Sequence, residues 1–521
     1  MSSPNPKATF KQEPTTPIYA KRWAALVVLM FPVLLISVDN TVLSFAVPAL
    51  SSALTPSSNQ LLWIIDIYPL VLAGLLVPMG SLGDRFGRRK LLLIGSTGFA
   101  VVSAAAAFAT NAEQLIAARA LLGIFGAMLM PATLSLIRNI FTDANERRKA
   151  IAVWAAAFSG GAALGPIVGG FLLEHFWWGS VFLLAVPMLL PLLILGPMLI
   201  PESRDPKPGS VDPISIVLVI LTLLPIVFGI KDLTQASSPL LGIATIALGI
   251  ACGIAFTFRQ LKRSNPMLDV RLFNNPIFSG ALLVNLLSIF AFVGFIYFLS
   301  QHLQLVAGFT PMMAGILMLP GLAMTVGFGL LAVPLVRKFK ISAVMIVGLA
   351  LSTSAYVIVL IFGQSGSVVA LMVAFAVLGA GVGMAETLSN DLALSAVPAS
   401  KAGAASAISE TSYEVGSVLG TAVLGSILNA VYTRNLRVPG SLTTEQAEAA
   451  RQTLGGAHEV AATLPDSKAA AGEQLLASAS SAFDAGVVIT SAIAVALTLI
   501  TIFIISKTIR GSRLPESSET I

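Results

Sequence analysis

Charge is what this sequence has least of. Asp, Glu, Lys and Arg make up 11% of its 521 residues, where a soluble globular protein carries about 25%. That shortfall, sustained over such a length, excludes a soluble enzyme. Long apolar runs in place of alternating ones exclude a β-barrel porin, and a hydrophobic content of 56% excludes disorder. A single cysteine, Cys252, allows neither an intrachain disulfide nor a cysteine metal cluster. The three histidines, His175, His302 and His458, show no ligand spacing, so neither a metal nor another cofactor is expected. What remains is an all-α integral membrane protein of many spans.

About twenty apolar residues cross a bilayer as a helix. On that measure the chain holds about fourteen spans: 23–47, 59–82, 91–109, 113–140, 150–173, 180–200, 213–231, 239–258, 276–301, 310–334, 341–362, 366–390, 402–431 and 485–507. The polar, basic segment 1–22 is followed by no small-residue cleavage site, which predicts a retained first helix rather than a removed signal peptide. An even number of spans places both ends on one side, and lysine and arginine decide which side. Of the 31 basic residues, 25 fall on one face, in clusters such as Arg85, Arg88, Arg89 and Lys90 or Arg138, Arg147, Arg148 and Lys149. Arg434, Arg437, Arg451 and Lys468 lie in one long loop opposite, and Arg119 and Lys231 lie within or beside spans. Both termini are therefore expected in the cytoplasm, with the chain in the cytoplasmic (inner) membrane. The net charge of +6 follows from this topology; nucleic-acid binding would need a clustered basic face with motif support.

The spans fall into six, two and six. A tail at 1–22 precedes a first bundle at 23–200, and the Pro/Gly-rich stretch Pro201 to Pro213 opens a linker at 201–275 that carries two extra helices. A second bundle follows at 276–507, with an external loop at 432–484 and a cytoplasmic tail at 508–521. Two six-helix halves around a midplane site are the architecture of a transporter. In the loop, Gly455-Gly456 and Pro465 read as breaks, while Thr444 and Asp466 read as caps of two helices in an external hairpin. Such a hairpin either shields the outward gate or is surface decoration.

A charge at the centre of a span costs about 2.5–3.5 kcal/mol on insertion scales. This chain places Asp39 in span 1, Asp66 in span 2, Arg119 in span 4, Glu386 in span 12, and Glu410 and Glu414 in span 13. Six such residues must face water or protein. At about 1.5 Å per residue, Asp39, Asp66 and Arg119 share the outer layer of the first bundle, where Arg119 can pair with either aspartate. Glu410 and Glu414 are one turn apart and share a helix face, at depths of ~12 and ~18 Å from the cytoplasmic end. Five carboxylates against one arginine make an interior suited to cations. A carboxyl that takes either a proton or a cation couples the two by competition. Read structurally instead, Asp39–Arg119 is a static pair and Glu386 lies at the cytoplasmic interface, with Asp391 solvated. Trp63, Tyr68, Phe290, Phe292, Phe295, Tyr297 and Tyr413 can offer ring faces to a cation near the acids. Trp177 and Trp178 read as an interfacial belt.

Three motifs sharpen the reading. The loop after span 2 runs Gly80-Ser-Leu-Gly-Asp84-Arg85-Phe-Gly87-Arg88-Arg89-Lys90, with glycines for a tight turn and charges to bridge helix ends. It resembles the G-x-L-a-D-r-x-G-r-k signature of the major facilitator superfamily, a cytoplasmic latch between halves. Arg119-Ala-Leu-Leu-Gly123-Ile-Phe-Gly126 in span 4 resembles the family's R-x-x-x-G-x-G motif, whose arginine is tied to proton transfer; a glutamine often found there is Leu122. Gly161, Gly165, Pro166, Gly169 and Gly170 in span 5 resemble the G-x-x-x-G-P-x-x-G-G motif of the antiporters, where small residues permit close helix approach.

With fourteen spans and these acids, nearly the whole chain resembles the fourteen-helix drug:proton antiporter family of the QacA/LfrA/SmvA type. The resemblance implies a major facilitator fold of two six-helix bundles plus two inserted helices. It implies export of lipophilic cations (dyes, quaternary ammonium antiseptics, fluoroquinolones) in exchange for protons, with protons as the coupling ion and no cofactor. It assigns coupling and binding to Asp39, Asp66, Arg119, Glu386, Glu410 and Glu414, aromatic contacts to Trp63, Tyr68, Phe292 and Tyr413, and gating to the latch and span-5 residues. An acid present in span 10 of some members has no counterpart within 310–334. The expected partners are cationic small molecules, protons and membrane lipid, without nucleic acid, and the expected state is a monomer. A dedicated exporter of one endogenous metabolite shares every motif, and an uncoupled facilitator is the other alternative; a membrane enzyme lacks a nucleophile–base set.

Overall fold

The computed structural model describes residues 16–204, 212–235, 239–263, 266–363, 366–397 and 402–508. Fourteen helices in it are long and apolar enough to cross a membrane. The chain is a multi-pass, all-helical membrane protein.

The first half comprises α1 (Thr16–Leu54), α2 (Ser58–Phe86), α3 (Arg88–Ala106), a fourth crossing divided into α4 (Ala112–Gly126) and α5 (Leu129–Ile140), α6 (Ala144–His175), and a sixth crossing divided into α7 (Ser180–Leu183) and α8 (Ala185–Leu199). Next comes the inserted pair, α9 (Pro213–Gln235) and α10 (Pro239–Lys262). The second half contains α11 (Pro276–Gln301), α12 (Pro311–Lys338), α13 (Ile341–Phe362) and α14 (Val368–Ser395). Its fifth crossing is α15 (Ala402–Leu419), a π-helical stretch at Gly420–Gly425, and α16 (Ser426–Asn435). After α17 (Thr444–Gln452) and α18 (Leu454–Thr463), α19 (Ala469–Thr508) returns to the basic face.

Side-chain caps fix where several of these helices begin. Ser57 and Gln60 form a reciprocal capping box on α2, Asn111 caps α4, and Thr310 caps α12 with Pro311 in its first turn. Each supplies an oxygen to a backbone N–H that the first turn leaves unpaired. Each half has its own apolar core, one around Phe99, Leu115 and Leu189 and the other around Phe295, Tyr356 and Phe375. The exposed apolar residues of α10, such as Leu240, Leu241, Ile243 and Ile254, face outward as a lipid-contacting surface requires.

Three expectations change. The fourth span is two helices, broken at Ala127–Met128 just after Gly126. The last span starts well before 485, because the alanine-rich segment from Ala469, which has no proline and a glycine only at Gly472 before 485, continues as helix into the membrane. The external hairpin therefore takes another form. Thr443, not Thr444, caps α17 through a capping box with Gln446, and Thr453 caps α18. Asp466 begins only a short 3-10 turn leading into α19. Gly455 and Gly456 are no break; they form the first turn of α18, and bare Gly455 lets it approach within 2.6 Å of Ser51 Cβ (measured from the position a Cβ would take).

Hydrogen bonds between the halves cluster toward the face opposite the basic loops. The Ser300 hydroxyl donates to the Ser44 carbonyl at 2.8 Å, and the Gln304 amide donates to the Phe45 carbonyl at 3.2 Å. The Met312 N–H donates to the Glu174 carboxylate at 3.2 Å. Ser58 donates its N–H to the Gln452 side chain at 3.3 Å and its hydroxyl to the Gln452 carbonyl, so the external loop is stitched to the start of α2.

Candidate functional site

Arg119 reaches its place because glycines bring α4 against α2. A Cβ on Gly123 would lie 2.8 Å from the Tyr68 carbonyl, and one on Gly126 would lie 3.2 Å from the Tyr68 ring. At that separation Arg119 donates to Asp39 at 2.7 Å and to the Ile64 carbonyl at 3.2 Å, with its guanidinium 4.4 Å from the Tyr68 ring centroid. Arg119 is 2% exposed and Asp39 11%. Of the two aspartates open to it in the sequence, Arg119 takes Asp39.

Asp66 has a different partner. Its carboxylate lies 2.8 Å from Lys231 Nζ, with both side chains fully buried. Lys231 belongs to α9 of the inserted pair, and its ammonium also sits 4.0 Å from the Trp63 ring centroid. The Thr421 hydroxyl, in the π-helical stretch between α15 and α16, donates to the other Asp66 oxygen. The expectation of Arg119 as the one interior cation is thus corrected: Lys231 is a second buried cation, paired with one of the five acids. The sequence placed Lys231 only within or beside a span and gave no sign of its partner.

The remaining three acids lie together in the second half. Glu410 and Glu414 are one turn apart on α15, and Glu386 of α14 is within electrostatic reach of Glu410. Glu386 lies ~14 Å inside the end of its helix, and Asp391 is exposed as expected. Glu414 is 2% exposed, and its Oε2 has no hydrogen-bond partner among the described residues. Tyr68 lies within reach of both Glu414 and the Asp39–Arg119 pair, so it is the ring between the two groups. A polar brace that the sequence did not single out holds the acid-bearing helices. Asn285 of α11 donates to Asn390 at 3.3 Å and to Ser409 at 3.1 Å, and Ser409 donates to Asn390 at 2.5 Å.

The aromatic candidates divide likewise. Tyr413 sits among Glu386, Glu410 and Glu414 and meets Phe158 of α6 edge-on at 6.3 Å. Trp63 and Tyr68 face the protein's own cations. Phe292 stacks on Phe375 at 5.8 Å against the second core. Its spacing on an apolar helix carries no information about which way it faces.

The span-5 motif makes two seams. Gly161, Gly165 and Gly169 lie along α1, close to Ser37, Thr41 and Val42 on either side of Asp39. Pro166 and Gly170 lie against α12 of the other half, where a Cβ on Gly315 would be 2.4 Å from the Pro166 carbonyl. The span 2–3 motif, by contrast, is tied within its own half. Asp84 pairs with Arg88 at 2.7 Å, the Arg88 N–H donates to the Ser203 carbonyl at 2.9 Å, and the Arg89 and Lys90 N–H groups donate to the Glu202 carboxylate at 3.1 and 3.2 Å. Gly80 packs on Pro131, Arg85 is exposed, and Gly87 turns the chain at φ +118°. A carboxylate at the first turn of α3 is where the helix dipole favours it.

Two halves around a buried acid layer, with this turn and this glycine seam, agree with comparison to known proteins. The family model described as Major Facilitator Superfamily matches residues 29–421. The chain belongs to the major facilitator superfamily. As a member of that superfamily it is a transporter and not an enzyme, and its fold is the major facilitator fold. It is 54% identical to the multidrug efflux pump LfrA of Mycolicibacterium smegmatis, over 93% of this chain and 96% of that one. It is 37% identical to the methyl viologen resistance protein SmvA of Salmonella typhimurium, over 89% and 93% of the two chains. Among solved structures, a bacterial homologue of the lysosomal transporter Spinster, inward-facing and unoccupied, matches with a TM-score of 0.65 at 18% identity, covering 95% of this chain and 99% of that one. At that identity the likeness concerns the fold alone.

Proposed function

We propose that the protein is a proton-coupled efflux antiporter of lipophilic cations in the cell membrane, working by alternating access with both termini in the cytoplasm. The observation that carries this reading is the unpartnered, buried oxygen of Glu414, one turn from Glu410 and beside Glu386. A buried carboxylate without partners is costly unless it takes a proton or a counter-cation. Half-buried Glu410 and Glu386 stand beside it, and the three acids with Tyr413 among them give a cation both charge and a ring face. Substrate taken from the inner side would displace protons there, and protons entering from outside would release it. The names of LfrA and SmvA support a drug-exporting role, since one is a multidrug efflux pump and the other a methyl viologen resistance protein. Closure at the face opposite the basic loops, toward which the interhalf hydrogen bonds gather, fits a state awaiting substrate from the cytoplasm.

Asp39 and Asp66 differ from the glutamates in that each already has a resident cation. The test is ethidium transport into vesicles driven by an imposed pH gradient. The wild type should transport and lose transport when the gradient is collapsed. Glu414→Gln and Glu410→Gln should each lower coupled transport at least tenfold, the effect of about 1.4 kcal/mol. Unaltered coupled transport in both, and in Glu386→Gln, Asp39→Asn and Asp66→Asn, would overturn the assignment.

A further inference from the structure

The two aspartate–cation pairs are built differently, and the difference points to a role for the inserted helices. Arg119 is held on three sides, by Asp39, the Ile64 carbonyl and the Tyr68 ring, all within the first half. Its flat, forked head suits a fixed pair. Lys231 instead brings a point charge on a flexible stem from α9, near the end of that helix. Its surroundings come from three separate parts of the chain: Asp66 and Trp63 on α2, Thr421 on the second half, and its own helix. Leu70, Val227 and Val418 pack together along the same junction, so α9 covers the seam where the halves meet. Thr421 sits in a π-helical stretch, a local irregularity frequent at functional sites.

A carboxylate and an indole face are what a lipophilic ammonium or phosphonium ion needs for recognition, and the Thr421 hydroxyl fixes that carboxylate by donating to it. Here an ammonium already occupies them. We propose that Asp66, Trp63 and Thr421 form a cation site whose resting occupant is the Lys231 ammonium, which yields its place to an incoming lipophilic cation when the halves move. Lys231 is then a built-in competitor: it keeps the site neutral when empty of substrate and sets the threshold for loading. This inference rests on the reading of the protein as a cation exporter and deepens it.

The test is equilibrium binding of tetraphenylphosphonium to the full-length protein in nanodiscs, without any gradient. Lys231→Met and Lys231→Gln should each bind about tenfold or more tightly, because a site occupied nine-tenths of the time by its own lysine is weakened by that factor. Adding Asp66→Asn to either variant should abolish the gain. Unchanged or weaker binding in the folded lysine variants would overturn the proposal. A second measurement needs no variant. Reductive methylation of Lys231 in the wild type, read by mass spectrometry, should be slow alone and faster with saturating tetraphenylphosphonium. Equal protection in both conditions would also overturn it. Because neither readout depends on a proton gradient, failure of proton-driven ethidium transport in the wild type would count against the exporter reading separately.

Discussion

The seam between α6 and α12 offers a direct way to move the balance between conformations. A Cβ at Gly315 would lie 2.4 Å from the Pro166 carbonyl oxygen and 2.9 Å from its carbon, and one at Gly170 would lie 2.7 Å from the Pro311 carbonyl oxygen and from Met312 Cα. These are backbone atoms of the opposite half, so no side chain can rotate out of the way. Gly315→Ala and Gly170→Ala must therefore push the halves apart at this end. Overpacking of this size costs about 1–3 kcal/mol. The gain of about 0.5–1 kcal/mol that alanine brings to a helix is common to both conformations and cancels. The closed arrangement should thus lose population by about 5- to 150-fold relative to the open one. Gly327, on the same helix, has nothing within 4 Å of its Cβ position, and Gly327→Ala is the control. With Cys252 replaced by serine, spin labels at Glu113→Cys in the first half and Val369→Cys at the start of α14 in the second, both exposed toward the face opposite the basic loops, report the separation. The distance distribution should shift outward in the two seam variants and stay unchanged in the control. An unchanged distribution in Gly315→Ala and Gly170→Ala would refute the steric argument.

Two further outcomes follow from local geometry on the basic side. Gly87→Ala must adopt φ +118° and place a methyl 2.8 Å from the Glu202 carboxylate, so it should lower the thermal midpoint and detach the α2–α3 turn from the end of α8; unchanged proteolysis of that turn would contradict this. Hydrogen bonds from Arg259 hold the Asp212 carboxyl well below the usual carboxylate range, with Arg263 close by at 3.3 Å. A depressed folded-state pKa means the clamp stabilises fully above the unfolded pKa of about 4 and is lost only as pH falls through the lower folded value. The melting difference between wild type and Asp212→Asn should accordingly be constant from neutral pH to about pH 5 and shrink below about pH 4; a difference that vanishes already at pH 6 would disprove it.

Span number and the positions of most spans were legible in the sequence because both rest on length and apolarity. Ile341–Phe362 matches its expected bounds at both ends. The last helix did not, since an alanine-rich extension outside the membrane has the same backbone preference as the span it joins. At the site, the acids stood out because each is individually expensive in an apolar run. Partner choice did not, because it depends on which helix faces which. Arg119 could be matched with two aspartates, and Lys231 stood only within or beside a span, with nothing in the sequence to show which acid it faces. The Asn285–Asn390–Ser409 brace was invisible for a related reason: uncharged polar residues are common enough in spans that only geometry shows them converging. Phe292 shows the converse, a residue singled out by its type whose stack on Phe375 only the structure displays.

The pairing of the acids bears on the number of ions exchanged. With all five carboxylates ionised, Arg119 and Lys231 balance Asp39 and Asp66, and the deficit falls wholly on Glu386, Glu410 and Glu414. A single monovalent cation bound among these three cannot neutralise them, so the others must carry protons or meet water. If substrate leaves as two glutamates regain protons, more positive charge moves inward than outward. Each such extra charge is worth about 2.3 kcal/mol per 100 mV of membrane potential. Under the proposed exchange, a surplus of unpaired acids in one half is what allows the membrane potential, and not only the pH difference, to drive export. A site with a single unpaired glutamate would exchange one proton for one cation and gain nothing from the potential.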